Sequence, residues 1–194
     1  VYNLITGFYK YEGKIEFAGK DITGLSTHKI AQLGISRTFQ IPQTFPSLTV
    51  EKGIDVGNRF GNTAKYNPSK VDEIIDFVDL EKDRKQLTGN LDLLGKKKLM
   101  IGAALATNPK ILMLDEPMAG SNAHEIKALM ELIRKMNEAL GITIIIIEHF
   151  MKVLTELAKT LLIIETGTEI CSGDPIAVTN NPKVIECYLG SDND

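Results

Sequence analysis

The hydrophobic pattern is most regular in the second half of the chain. From residue 110 onward, strand-length apolar segments alternate with amphipathic helical ones: "ILMLDE" (111–116), a helix over 122–141, "ITIIIIEH" (142–149) and a helix over 150–160. Strands that are apolar along their whole length and separated by helices are typical of a parallel sheet covered on both faces. We therefore predict an α/β fold with a parallel core.

Local signals support these boundaries. Asn122 with Glu125 predicts a capping pair at the start of the helix over 122–141, and Gly141 is suited to its C-terminus. The segment "LLIIETGTEICSG" (161–173) predicts an antiparallel hairpin that turns at Thr166-Gly167. A small antiparallel β piece is thus expected beside the parallel core.

The N-terminal part is less regular. Helical spacing separates the apolar residues Val1, Leu4 and Ile5, so we expect the sequence to begin within a helix. Residues 13–22 alternate apolar and polar positions, which predicts one short strand, and "GISRTFQ" (34–40) predicts another.

Two prolines and a change of period mark the next segments. Pro42 and Pro46 break residues 41–50 into a predicted extended loop. A helical insertion is then expected over about 60–108, and its second helix (94–109) should end at Pro109. We expect Ser69 and Asp72 to cap the first of these helices, which has one apolar stripe: Val71, Ile74, Ile75 and Val78. The apolar positions that face inward from the second are Leu99, Ile101 and Leu105.

Composition narrows the class of protein. The 194 residues suit one domain with a small subdomain, and 22 basic against 25 acidic residues argue against nucleic acid as a partner. Cys171 and Cys187 are too few for a disulfide framework, which fits a reducing compartment. The longest apolar segment, 142–147, is far shorter than the ~20 residues that cross a bilayer. The chain is expected to be soluble or peripheral to a membrane.

Polar side chains follow three of the predicted strands. Gln40 closes the strand over 34–40, Asp115 and Glu116 follow the strand from 111, and His149 closes the strand from 142. Ligands of open α/β sheets bind beyond the carboxyl ends of parallel strands, so these four residues should meet at one edge. One carboxylate for Mg²⁺, a second to polarise water, and neutral donors form the set that hydrolyses a phosphoanhydride. Taken singly, the acid pair could be a strand-end cap and His149 an interior histidine.

Four short motifs carry a family resemblance. "ILMLDEP" resembles the Walker B strand and catalytic glutamate of ATP-binding cassette (ABC) ATPases, "RTFQ" their Q-loop, "AGSN" their D-loop and "IIEH" their switch histidine. More narrowly, "NLITGFYK", "GISRTFQIPQTFPSLTV", "ALATNPKILMLDEPMAG" and "NNPKVIECYLG" resemble the ATPase subunits of branched-chain amino-acid ABC importers, in order from Val1 to about Gly190. This implies one P-loop NTPase-like nucleotide-binding domain over 1–194, with the helical subdomain near 60–108.

The resemblance implies roles for the strand-end residues and cofactors. ATP and Mg²⁺ are the implied cofactors: Asp115 would hold Mg²⁺ through water, Gln40 would sense the metal and the γ-phosphate, Glu116 would be the general base and His149 would contact the γ-phosphate. Two such subunits, identical or different, would close head to tail.

The implied partners are a second ATPase subunit and transmembrane permease subunits. Ser121 and Asn122 of the D-loop, with the signature segment around Asp92 and Gly95, would complete the partner's site. A cytoplasmic coupling helix of the permease would dock on 41–50 and the helical insertion, which implies a peripheral location on the inner face of the cell membrane. Within 41–50, Phe45, Pro46 and Leu48 could form an exposed contact patch or could fold inward.

Two departures from the family pattern bear on activity. No G-x-x-x-x-G-K-[ST] phosphate loop occurs among the 194 residues. In the family it precedes the helix that "VYNLITG" resembles, so we expect an N-terminal truncation and no activity from the 194 residues alone; a chain that has truly lost the loop is the alternative. The signature segment reads "NLDLLGKKKL" rather than L-S-G-G-Q, with Asp92 in place of serine. Lys96 to Lys98 could offset its charge or simply form a solvated helix face.

Three functions follow from these observations. The first is an importer ATPase for branched-chain amino acids. The second is a degenerate subunit that dimerises without hydrolysing ATP, and the third is an ABC ATPase of another pathway, such as lipid or lipopolysaccharide export. The solute itself is selected by the permease and the binding protein, so this chain does not specify it.

Overall fold

A computed structural model describes residues 1–61 and 66–189, with the side chains of 187–189 left aside. Cys187 and Gly190, where the family resemblance ends, therefore lie outside the described side chains and residues. The chain divides into two units, Val1–Ile147 and Glu148–Asp194. The elements of the first unit are α1 Tyr2–Ile5, β1 Glu16–Phe17, β2 Lys20–Asp21, α2 Thr27–Leu33, β3 Ile35–Arg37, α3 Val50–Phe60, α4 Ser69–Phe77, α5 Leu93–Ala106, β4 Ile111–Asp115, α6 Ala123–Leu140 and β5 Thr143–Ile147, with 3-10 turns at Glu81–Asp83 and Thr88–Asn90. The elements of the second unit are α7 Met151–Leu157, β6 Leu161–Glu165, β7 Thr168–Gly173, α8 Pro175–Thr179 and α9 Pro182–Leu189.

A parallel sheet with the order β3-β4-β5 forms the centre of the first unit. Its central strand is closed off from solvent, because Leu112, Met113 and Leu114 are all fully buried. Parallel strands place their carboxyl ends at one edge: β4 and β5 end at the paired residues Asp115 and Ile147, and β3 ends at Arg37, opposite Met113. The predicted α/β fold with a parallel core is confirmed.

The burial of β5 differs from the prediction. Ile145 is 40% exposed and Ile147 is 39% exposed, although the strand is as apolar as β4. Exposed positions alternate with half-buried ones along β5, so one face of this strand is left largely uncovered by the rest of the first unit. Coverage on both faces is therefore confirmed for β4 and wrong for β5.

Two hairpins flank the parallel sheet in sequence. Residues 13–22 form the two antiparallel strands β1 and β2, so the single predicted strand is wrong. Ala18 and Gly19 both take left-handed backbone angles (φ 49° and 75°), and a two-residue turn of this kind reverses the chain. The hairpin of the second unit turns at Thr166-Gly167 as predicted, with φ of 46° and 84°.

Helices α3, α4 and α5 pack against one another in the first unit. Helix α3 begins at Val50, where the sequence predicts only an extended loop; its contact with α5 is so close that a Cβ at Gly57 would lie 2.0 Å from the Ala103 carbonyl oxygen. The predicted inward positions of α5 (Leu99, Ile101, Leu105) and the α4 stripe (Val71, Ile74, Ile75, Val78) are buried as expected.

Helix ends in this region differ from prediction at one point. Ser69 is the first residue of α4 rather than its cap, and its N–H donates to Asn67 Oδ1 over 3.2 Å. The asparagine amide oxygen thus takes the place expected for the serine hydroxyl. Helix α5 ends at Ala106, shortly before Pro109. At α6 the predicted Asn122–Glu125 capping box and the left-handed Gly141 (φ 64°) are confirmed.

The length and composition of the described helices bear on whether one of them could cross a membrane. None of those within 1–61 and 66–189 combines the length and the apolar character that a membrane-crossing helix requires.

Candidate functional site

The carboxyl ends of β3 and β4 bring two of the predicted site residues into contact. Gln40 lies three residues beyond β3, and its side-chain amide donates a hydrogen bond of 2.5 Å to Glu116 Oε2. Asp115 is the last residue of β4 and directly precedes Glu116. We call Gln40, Asp115 and Glu116 the rim. Its amide and two carboxylates form one polar group at the edge where ligands of such sheets bind.

The backbone at Glu116 is unusual. Its φ of 45° lies in the left-handed region, which a residue with a Cβ adopts at a cost of about 1 kcal/mol. The geometry is held from both sides, because Glu116 N–H donates to the Ile147 carbonyl (2.9 Å) and its own carbonyl accepts from Ala119 N–H (3.1 Å). Strained residues of this kind are concentrated at functional sites.

A buried arginine supports the rim and was not identified from the sequence. The Arg37 side chain is 9% exposed, and its Nη2 contacts Asp115 Oδ2 at 3.1 Å. Its Nη1 donates to Asn3 Oδ1 at 2.6 Å. The available signal was the single basic residue of the strand segment "GISRTFQ", which is also the first residue of the quoted segment "RTFQ".

Tyr2 lies beneath the same edge. Its hydroxyl donates to the carbonyl of Ile145 (2.7 Å) and, more weakly, to that of Leu114 (3.3 Å), so it links β4 and β5. Burial, and to a lesser extent the negative charge of Asp115, raises the pKa of Tyr2 well above its ordinary value. The phenol is therefore a neutral donor that holds the ends of two strands together.

The segment 119–122, "AGSN", is fixed to α5 by Lys97. This lysine is 2% exposed and its ammonium donates to Ala119 O (2.5 Å) and Ser121 Oγ (2.7 Å). The interpretation of Lys96 to Lys98 as a solvated face is therefore wrong for Lys97. Lys98 also has a partner, since it pairs with Asp79 at 2.9 Å. Which lysine of the run faces inward depends on packing that charge patterning does not encode.

The remaining predicted residues of the dimer contact are helix caps. Asn122 Oδ1 accepts from the N–H groups of His124 and Glu125 at the start of α6. Asp92 Oδ1 accepts from Gly95 N–H over 2.7 Å at the start of α5. A carboxylate at a helix N-terminus also interacts favourably with the helix dipole. Asp92 thus has a structural role in place of the usual serine, and the phosphate contacts of Asp92 and Gly95 remain predictions.

His149 belongs to the second unit. Its ring is exposed, and its backbone N–H donates to the Glu148 carboxylate over 3.2 Å. The predicted contact of His149 with the γ-phosphate stays a prediction.

The rim can be tested for its fit to Mg²⁺. No group of three or more His, Cys, Asp or Glu side chains suited to a metal occurs within the described parts of the chain. Mg²⁺ does not need one, because it usually takes one or two carboxylates together with water and substrate phosphates. Arg37 contacts only Oδ2 of Asp115, and Gln40 uses its amide nitrogen toward Glu116. An oxygen of Asp115 and the amide oxygen of Gln40 therefore suit a magnesium ion.

Family models match two parts of the chain. Residues 1–119, more than half of the sequence, match the model described as ABC transporter. Residues 169–194 match the model described as branched-chain amino acid ATP-binding cassette transporter.

Individual proteins match over nearly the whole chain. BraF of Pseudomonas aeruginosa, a high-affinity branched-chain amino acid transport ATP-binding protein, is 33% identical over 98% of this chain and 81% of its own length. LivG of Escherichia coli (strain K12), described in the same words, is 31% identical with the same coverage. Among solved structures, the ATP-binding cassette MJ1267 has a TM-score of 0.86 and 31% identity over 97% of this chain and 82% of its own.

Proposed function

The chain belongs to the ABC transporter family, and we propose that it is the ATP-binding and ATP-hydrolysing subunit of an importer for branched-chain amino acids. The relatives BraF and LivG support this solute class, as does the match of residues 169–194. The observation that carries the proposal is the contact between Gln40 and Glu116 beside Asp115, at the ligand-binding edge of the sheet. The location that follows is the cytoplasmic face of the cell membrane, peripheral to the permease.

Glu116 acts as the general base in this proposal. Its carboxylate accepts the hydrogen bond of Gln40, which fixes its orientation for taking a proton from water. The left-handed backbone of Glu116 sets the direction of the side chain from the strand end. His149 contributes a donor to the γ-phosphate.

Asp115 and Gln40 hold the metal in this proposal. Bound Mg²⁺ would neutralise charge on the phosphates of ATP. Asp115, which contacts Arg37 through Oδ2, would hold the metal, and Gln40 would contribute its amide oxygen while its amide nitrogen donates to Glu116. Two carboxylates are needed because one must remain a ligand while the other accepts a proton.

Assembly completes the proposed site. A second subunit contributes its Ser121 and Asn122, with the start of α5 around Asp92 and Gly95. Their attachment by Lys97 and by helix capping supports a role as a rigid contact surface.

The permease docks on the first unit in this proposal. Phe45 is 58% exposed in the loop before α3, so this residue is available for a partner. A largely apolar cavity of about 300 Å³ includes Gln43 of the same loop in its lining, together with Phe8, Phe39 and Met100. An apolar surface of this kind suits a short amphipathic helix.

The proposal is tested on the protein expressed from its complete coding sequence. We expect Mg²⁺-dependent ATP hydrolysis, and Glu116→Gln should slow it by about 10²–10⁴-fold and accumulate an ATP-bound dimer. Glu131→Gln, on the exposed face of α6, is the matched control and should hydrolyse ATP at the normal rate. Equal turnover by Glu116→Gln and the unmutated protein would refute the assignment of the base.

A non-hydrolysing subunit is the second candidate, and Asp92 at the place of the usual signature serine favours it. The 194 residues alone are not expected to hydrolyse ATP, because no G-x-x-x-x-G-K-[ST] segment is among them. A complete protein that binds ATP and dimerises but shows no turnover would establish this alternative.

A transport assay distinguishes the importer from an export ATPase. Uptake of leucine, isoleucine and valine by the assembled transporter would support the importer, whereas lipid export without such uptake would support the export ATPase.

A further inference from the structure

We propose that Arg37 is a positioning residue for the metal site: it holds Asp115 by one carboxylate oxygen and thereby keeps the other oriented for Mg²⁺. This inference rests on the proposed function, because it takes Asp115 to be the metal ligand. It assigns a role to the first residue of the segment "RTFQ", to which the family resemblance gave none.

The first observation is that the two terminal nitrogens of the Arg37 guanidinium bind different partners. An arginine fork commonly binds a carboxylate through two parallel hydrogen bonds, which would occupy both oxygens. Here only Nη2 reaches Asp115, at Oδ2, while Nη1 is turned toward Asn3 Oδ1 and, at 3.4 Å, toward Thr6 Oγ1. Within the described residues, no other hydrogen bond reaches a side-chain oxygen of Asp115. The arginine thus fixes the carboxylate and leaves one oxygen available.

The second observation is how firmly the guanidinium is held. Three aromatic rings surround it, with centroids 4.6 Å (Phe39), 5.6 Å (Phe8) and 5.8 Å (Tyr2) from its central carbon. Cation–π contacts of this kind stabilise a charged group that is largely removed from water. With Asn3 at one end, Arg37 is anchored and is not expected to swing away when another cation approaches Asp115.

The third observation concerns the other groups that lie close to the Arg37 side chain. Phe39 lies directly before Gln40, and Asn3 and Thr6 belong to α1 and its C-terminus. The same side chain therefore connects the metal ligand, the start of the Gln40 loop and the first helix. Residues that orient a metal ligand from behind typically change metal affinity by about 10–100-fold when they are replaced.

The test measures metal-dependent nucleotide binding rather than turnover. The dissociation constant of a non-hydrolysable ATP analogue is determined on the complete protein with saturating Mg²⁺ and with EDTA, and the ratio is the metal-dependent gain. Arg37→Met, which keeps much of the side-chain length, should lower this gain roughly tenfold and leave the EDTA value within about twofold. Arg37→Lys, which keeps the charge but cannot serve both Asn3 and Asp115, should fall between Arg37→Met and the unmutated protein.

A double-mutant cycle separates positioning from general damage to the fold. Asp115→Asn should remove the gain, and adding Arg37→Met to it should then change nothing further. If Arg37→Met weakens binding by the same factor with Mg²⁺ and with EDTA, the residue is only structural and the inference is wrong. A larger gain in Arg37→Met would also overturn it, because Arg37 would then be a competitor of the metal.

A milder variant covers the case in which Arg37→Met does not fold. Asn3→Ala leaves the ion pair in place and removes the anchor, so the gain should fall about two- to threefold, and no change would count against the inference. If the unmutated protein and Asp115→Asn both showed no metal-dependent gain, the proposed function itself would be refuted. A normal gain that depends on Asp115 but not on Arg37 would refute only this inference.

Discussion

The rim and the segment 119–122 use their polar side chains in different ways. At the rim, side chains bond to side chains: Gln40 to Glu116, and Arg37 to Asp115. Around 119–122 and the start of α5, they bond largely to the backbone, as with Lys97 on the Ala119 carbonyl and with the two caps of α5 and α6. A side-chain partner can be exchanged for a ligand with little effect on the fold. A backbone partner fixes the path of the chain, so the polar side chains around 119–122 maintain the local backbone structure.

Lys97→Met should show the largest effect on stability if this distinction holds. The variant keeps much of the apolar length of the side chain but leaves a carbonyl and a hydroxyl without their buried donor. We expect a loss of about 2 kcal/mol in the free energy of unfolding, measured by urea denaturation. Lys96→Met, half-buried on the same helix, is the control and should cost less than about 0.5 kcal/mol. Equal effects of the two variants would break the comparison.

Tyr2→Phe tests a side chain near the rim that bonds to backbone. Loss of the hydroxyl should cost about 1–2 kcal/mol at neutral pH, because two strand carbonyls lose a donor. The raised pKa of Tyr2 means that the folded state favours the neutral phenol. Its contribution is therefore complete below the ordinary tyrosine pKa of about 10 and declines as the pH rises above it. The difference between the two proteins should shrink in alkali, and a constant difference would contradict the role of burial.

Asn122→Ala should have a smaller and purely local effect. The variant removes the capping box of α6, which is worth about 1 kcal/mol. Thermal unfolding should show the loss, while Asn122→Ser, which retains a capping oxygen, should restore most of it. A change in the Ser variant as large as that in the Ala variant would mean that the amide does more than cap.

Asp92→Ser is expected to be nearly neutral for folding. Serine caps helices about as well as aspartate, so the free energy of unfolding should change by less than about 0.5 kcal/mol. The variant also removes a negative charge at the position that the proposal places near the partner's γ-phosphate, so ATP hydrolysis should rise a few-fold. Unchanged hydrolysis would argue that the Asp92 carboxylate is fully used by the cap on Gly95 N–H.

Features with a local signal were predictable from the sequence, and features set by packing were not. The strand ending at Asp115, the capping box at Asn122 and the hairpin turn at Thr166 each follow from short patterns. Helix α3 contains two glycines, which have low helix propensity, and close contact with α5 stabilises it. The local sequence does not reveal this contact.

The same limit applies to burial and to the site. The exposure of β5 depends on which of its faces other elements cover, and the burial of Lys97 depends on which face of α5 packs inward. The strand-end rule indicated that Gln40 and Glu116 would be neighbours, but it gave no sign of Arg37 behind Asp115. Supporting residues of this kind are set by three-dimensional proximity, since Arg37 and Asp115 lie 78 positions apart in the chain.

A structure of the complete Glu116→Gln protein with Mg²⁺ and ATP tests the central claim most directly. Our account predicts that the γ-phosphate and the metal lie at the rim, with Asp115 and the Gln40 amide oxygen within contact of the metal or its waters and His149 at the γ-phosphate. A nucleotide bound elsewhere, with these four side chains turned away from it, would contradict the account.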